Sequence, residues 1–220
     1  MKRTFTLALL AAASSAGVAP GQSAIAIGGG IGTTGGVAEI QAQIQPWLQL
    51  RGGYNYFEYE ADDTYDDIAY TGDLDLTTLG AFVDLHPFSN SFVISAGAYF
   101  GDKGLNLAAT PGQSYEIDGQ IYTPAQVGVL ALSAALEETA PFLGLGWDTT
   151  FQGDGPFGFK FLAGAMFTGS PAIDLTSTGG TQSGNAAFQQ ALANEEVALQ
   201  DEVNDYEVYP VVQAGVTFRF

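Results

Sequence analysis

A chain of 220 residues suits one domain, and the absence of cysteine excludes a disulfide framework and any thiolate metal site. Twenty-four acids against six bases argue against a nucleic-acid partner, and a lone histidine, His86, argues against multi-histidine metal sites.

The chain opens on "MKRTFTLALLAAASSAGVA", two bases followed by an apolar stretch too short to span a bilayer as a helix. It reads as a secretory signal peptide, residues 1–26, with its end placed anywhere from 19 to 26. Gly17-Val18-Ala19 and Ala24-Ile25-Ala26 both fit the small-x-small rule. The second cuts into a possible first strand, "SAIAIGGGIG", which would turn at Thr33-Thr34-Gly35. Residues 27–220 form the remaining domain.

From there the chain alternates with period two, as strands do. Ala38, Ile40, Ala42 and Ile44 oppose Glu39, Gln41 and Gln43. After Pro46, Leu48, Leu50, Tyr54 and Tyr56 oppose Gln49, Arg51 and Asn55. Leu79, Ala81, Val83 and Leu85 share a face, whereas Leu74 and Leu76 fall on the other, so one strand from 71 to 85 with a bulge near Thr77 is expected. "FVISAGAYFG", "PFLGLGWDTTF" and "FGFKFLAGAMF" continue the pattern. The last run sets Val212, Ala214, Val216, Phe218 and Phe220 against Gln213, Gly215, Thr217 and Arg219.

Short connections at 44–46, 86–91 and 152–156 alternate with long polar segments at 60–70, 108–135 and 176–205. In the last of these, Phe188, Leu192, Leu199 and Val203 recur at helical spacing behind Asn185, a candidate cap. This predicts a short amphipathic helix within a loop.

A soluble barrel turns such apolar faces inward, and a membrane barrel turns them out to lipid. The polar faces here carry Gln, Arg, Glu, Lys and much glycine, which suits a crowded lumen. The apolar faces end in aromatics (Tyr54, Tyr56, Trp147, Phe157, Phe167, Phe218, Phe220), as interfacial girdles do. The prediction is an all-β, eight-stranded antiparallel transmembrane barrel with a short helix in its last extracellular loop. Lipid then covers the final strand's apolar face, and pairing of first and last strands leaves no free edge.

The chain resembles a family of small Gram-negative outer-membrane proteins, with the OmpA transmembrane domain and OmpW as more distant likenesses. The likeness rests on Gly32-Thr33, "RGGYNYF" (51–57), "HPF" (86–88), "SAGAYF" (95–100), "YEIDGQIYT" (115–123), "APFLGLGW" (140–147), "GSP" (169–171) and "YPVVQAGVTFRF" (209–220). It implies residence in the cell outer membrane, contact with its lipid and lipopolysaccharide, and a final strand (Val212, Ala214, Val216, Phe218, Phe220) read by the barrel assembly machinery. It implies no settled activity.

Four site readings follow. Pairing strands about the two short turns sets Glu39 opposite Arg51 and Asp148 opposite Lys160 on the lumen side, as charge pairs. His86 sits beside Pro87 in a short turn at the periplasmic end, away from where barrel enzymes place catalytic groups, so no catalysis is expected. Asp62, Asp63, Asp66 and Asp67 form an acidic outer loop that could hold a divalent cation weakly, with a solvated loop as the plainer reading. "GGGIG" lacks a phosphate loop's ending and points to close backbone packing. No cofactor and no built metal site is expected. The function read from these features is structural or surface-interacting, with a filled, non-conducting lumen, in a monomer. Two alternatives are an OmpW-like conduit or binder for a small apolar molecule, with Leu74, Leu76, Leu162 and Met166 as its lumen-side candidates, and a lipid- or peptide-directed enzyme.

Overall fold

The computed structural model describes residues 25–65, 68–110 and 114–220, with the side chains of 61–71 and 110 left aside. The chain begins with β1 (Ile25–Gly32), β2 (Gly35–Gln45), β3 (Leu48–Tyr56), β4 (Glu58–Tyr65) and β5 (Ile68–Leu76). It continues with β6 (Thr78–Leu85), β7 (Phe92–Phe100), β8 (Lys103–Thr110), β9 (Tyr115–Ile117) and β10 (Gln120–Tyr122). The last elements are α1 (Pro124–Val127), β11 (Gly128–Ala135), β12 (Thr139–Asp148), β13 (Phe157–Phe167), β14 (Ala172–Gly179), α2 (Ala186–Val203) and β15 (Val208–Arg219).

Eight strands close into an antiparallel barrel in the order β1-β15-β13-β12-β7-β6-β3-β2. The glycine-rich first run is a strand that turns at Thr33-Thr34. Its pairing with β15 closes the ring from Ala26 opposite Arg219 to Gly32 opposite Gln213, and the Phe220 amide still donates to the Ile25 carbonyl. A cut after Ala26 would therefore remove the first two residues of β1; residues 1–24 lie outside the described part.

The long connections are not plain loops. Five of their strands make a second antiparallel sheet, β14-β11-β8-β5-β4, and β9 and β10 form a small hairpin. The expected single strand over 71–85 is in fact β5 and β6, which belong to different sheets and part at Thr77. There the Leu76 amide donates to the Phe57 carbonyl and the Thr77 hydroxyl to Asp75 at 2.6 Å. The switch of apolar parity at Leu74 and Leu76 marks a change of sheet rather than a bulge. On the second sheet these residues share a face with Leu105, Leu107, Leu130, Leu132, Ala134 and Leu175, through pairs such as Leu74 with Leu105 and Leu107 with Leu132.

The predicted helix is present and longer than a loop turn. Asn185 caps α2 by accepting from the Ala187 and Phe188 amides. Its Phe188, Ala191, Leu192 and Leu199 pack on Ile117, Val127 and Leu175 as a second hydrophobic core. Two further α2 side chains cover the outer edge of β14: Glu196 accepts from the Leu175 amide and Gln200 from the Ile173 amide. A sheet edge otherwise open to pairing is thereby closed.

Candidate functional site: the filled lumen

Along each barrel strand one parity points out. Ile27, Ile40, Leu50, Leu79, Leu143, Leu145, Phe159, Val212 and Val216 are exposed, while Gln41, Gln49, Arg51, Asn55, Asp84, Ser95 and Lys160 are buried inside. This is the inverse of a soluble barrel. An uninterrupted apolar belt around a polar interior is stable only in lipid.

The lumen has two filled levels. Toward the end that carries the second sheet, Phe82, Tyr99 and Phe142 stack edge to face, with centroids 5.0 to 5.6 Å apart. Ala140, Leu162, Met166 and Val211 complete this plug. Glycines make room for the rings: a Cβ on Gly80 would lie 2.3 Å from the Phe82 ring, and one on Gly144 2.6 Å from that of Phe142.

Below the plug runs a chain of charges. Arg51 donates through Nε to Asp84 at 2.7 Å and through Nη2 to Asp84 at 3.3 Å and to Ser95 Oγ at 2.9 Å. The same guanidinium lies 3.9 Å from the Phe82 ring centre and 3.8 Å from Glu39. Glu39 accepts from Lys160 Nζ at 2.7 Å and from Gln41 at 2.7 Å. The sequence Asp84–Arg51–Glu39–Lys160 thus crosses the barrel between β6 and β13, and the Arg51–Phe82 contact locks it to the plug.

The expected charge residues are all inside, but their partners differ from the expected ones. Lys160 does stand opposite Asp148 in the ladder, yet its ammonium bonds Glu39. Asp148 instead accepts from the Thr150 amide and hydroxyl. Arg51 faces Gln41, and Glu39 faces Gly53, because the turn is Pro46-Trp47 rather than 44–46, a displacement that a bulge at Ile44 only partly offsets. Glu39 and Arg51 still approach diagonally. Sequence reasoning missed Asp84 and the ring of Phe82. Both share the parity opposite Val83 and Leu85, which was the available signal.

His86 is fully buried, at the short-turn end below Asp84. Its Nδ1 lies 2.8 Å from the Asn90 carbonyl oxygen, which can only accept, so Nδ1 carries the proton. Leu162 and Met166 lie in the plug, whereas Leu74 and Leu76 lie on the second sheet. Tyr54, Tyr56 and Phe167 are exposed at the second-sheet end of the belt; Trp147, Phe157, Phe218 and Phe220 are exposed at the other. Val212, Ala214 and Val216 face outward with them on β15. Asp66 and Asp67 lie outside the described residues, as do the side chains of Asp62 and Asp63. Among the described residues no group of three or more His, Asp or Glu could hold a metal ion.

No family model matches the chain, and no curated protein does. Solved structures do, two crystal structures from one species among them. Acinetobacter baumannii CarO is 22% identical with a TM-score of 0.56, over 90% of this chain and 98% of that one. Acinetobacter baumannii CarO2 is 22% identical with a TM-score of 0.57, over 91% and 100%. The fold is that of a small outer-membrane β-barrel. At this identity the likeness is one of fold, and it extends over the second sheet as well as the barrel. Bacterial barrels of this kind keep short turns on the periplasmic side and long connections outside, so the second sheet is the outer one.

Proposed function

We propose that this protein is a closed outer-membrane barrel that holds an outward-facing β-domain for surface interaction and conducts nothing through its lumen. The observation that carries this is the double filling: an aromatic plug and, directly beneath it, a charge chain joined to it by Arg51 over Phe82. An eight-stranded barrel has room for little more than its own side chains. No catalysis is assigned: the single imidazole is fully buried, with Nδ1 on a turn carbonyl and Nε2 out of reach of solvent. We propose a monomer whose belt lies in lipid, whose acidic outer face meets lipopolysaccharide phosphates only through divalent cations, and whose final strand is read by the assembly machinery.

Planar-bilayer recording tests the closed lumen. The native protein should give no steady conductance steps, and the double substitution Phe82→Ala with Phe142→Ala should give them. Steady steps from the native protein would overturn the reading.

A further inference from the structure

The apolar face of the outer sheet is covered at both ends and open between them. Its upper part lies under α2 and β9, where Leu107, Leu130 and Leu132 line a cavity of about 210 Å³. Its lower part meets the barrel rim, where Phe57, Leu74, Leu76, Leu105, Leu136 and Tyr209 line a cavity of about 300 Å³. Leu105 and Leu107 are two apart on β8 and so point the same way. The two cavities are therefore stations on one apolar track that starts at the rim, above the plug. The lower one alone reaches the size of small-molecule pockets.

Its polar atoms are already used. The Thr33 hydroxyl donates to the Pro210 carbonyl at 2.9 Å, and the Tyr209 hydroxyl donates to the Thr33 carbonyl at 2.6 Å. The hydroxyls of the lining thus offer an occupant no free donor. Charges nearby are of one sign. Glu58, Asp75, Asp102, Glu137, Glu138 and Glu207 stand at the joint between barrel and sheet. The one base among them, Lys103, is buried and donates to the carbonyls of Gly101 and Glu138 at 2.8 and 2.9 Å. Burial also draws its ammonium below the usual lysine range. A fatty carboxylate or a lipid phosphate at this mouth meets acids and no available cation.

We infer that the cavity at the seam between barrel rim and outer sheet is a binding site for a small, uncharged, apolar molecule taken from the medium. The inference goes beyond the closed lumen and does not depend on it: the site lies over the plug and not within it.

The test is photolabelling of the full protein in lipid nanodiscs, with adducts mapped by peptide mass spectrometry. One arm uses a free, uncharged aliphatic diazirine, and the other a phospholipid bearing the same diazirine in its acyl chain. The free probe should label Leu74, Leu76, Leu105 and Leu136. Ala134→Phe and, two residues on and just past the end of the same strand, Leu136→Phe should each lower labelling of the remaining seam residues at least about tenfold. Labelling of belt residues Leu143 and Leu145 should stay constant, and heat-modifiable gel migration should show both variants folded. Seam labelling unchanged in a folded variant would overturn the inference. So would seam labelling by the lipid-borne probe alone.

Discussion

Lys160 shows how a lumen charge chooses a partner. The acid directly opposite, Asp148, is cross-strand neighbour by register, but one of its oxygens accepts from Thr150 and the other makes no hydrogen bond, to Lys160 or to any other group. Glu39 stands three strands away on β2, across β15 and β1. The path is clear because Gly215 lies opposite Lys160, Gly30 opposite Gly215, and Gly28 opposite Glu39. A Cβ on Gly28 would come within 3.0 Å of Glu39 Cγ. The glycines of β1 are thus the corridor of an ion pair. Alternation in the sequence tells which side chains face the lumen; it does not tell which acid a long lysine will reach, because that depends on strands absent from the local pattern. A double-mutant cycle on Glu39→Gln and Lys160→Met should show strong coupling, whereas one on Asp148→Asn and Lys160→Met should show clearly weaker coupling, from charge proximity without a hydrogen bond. Leaving one buried charge unpaired costs on the order of 3–5 kcal/mol, less where lumen water reaches it. Urea unfolding in lipid vesicles measures both cycles, and equal coupling in the two would contradict the assignment.

Glycine acts the same way in the plug. A Cβ on Gly97 would lie 2.1 Å from the Ala81 carbonyl oxygen and 2.6 Å from the Phe82 ring, whereas one on Gly52 meets nothing nearer than 3.6 Å. Gly97→Ala should destabilise the barrel by about 1–3 kcal/mol through overpacking. Gly52→Ala should change it by less than about 0.5 kcal/mol, as substitutions clear of special contacts do. The same urea midpoints decide it.

At the scale of elements, the barrel strands were legible because each alternates cleanly for about its own length, and a membrane barrel needs that alternation on every strand. The hairpin at 148–160 was placed in register and the one at 39–51 was not. The difference is the turn, which sits at Pro46-Trp47, past the point the polarity pattern suggests, and a bulge at Ile44 offsets only part of that shift. The outer strands do not stand out in the sequence because their runs are short and lack a polar face: "LNLAA" holds one polar residue, Asn106, and "LALSAA" one, Ser133. Apart from the β4–β5 hairpin, their pairing is between strands distant in sequence: β8 lies between β5 and β11, and β11 between β8 and β14.

The closing strand makes its own prediction. Phe218 stacks edge-on with both Phe157 and Phe220, at 5.3 and 5.5 Å between centroids, all on the lipid side. Phe220 adds one hydrogen bond to a seam that already holds seven pairs. Its deletion should therefore leave folded protein nearly as stable, while lowering the amount that reaches the outer membrane. Immunoblots of membrane fractions, set against the unfolding midpoint of purified protein, separate the two effects. Normal membrane levels of the truncated chain would remove Phe220 as an assembly signal.

The molecule as a whole holds two hydrophobic cores that share no buried residue. One is the barrel plug around Phe82, Tyr99 and Phe142. The other lies under α2, around Ile117, Leu175, Phe188 and Leu192, with Tyr122 edge-on to Phe188 at 4.8 Å. What joins them is narrow: backbone bonds such as Gly101 to Glu138 and Glu137 to Thr168, around the partly filled seam. The barrel also has lipid and a closed ladder to hold it, whereas the outer core stands in water alone. The outer domain should then unfold first. Phe188→Ala removes the largest side chain of that core and should cost it about 3–5 kcal/mol, with no effect on the plug. On intact cells the variant should become sensitive to added protease between residues 176 and 205, where the native α2 and β14 resist, while the barrel fragment keeps its heat-modifiable migration. A variant that lost the barrel together with the outer domain would show that the seam couples the two cores into one cooperative unit.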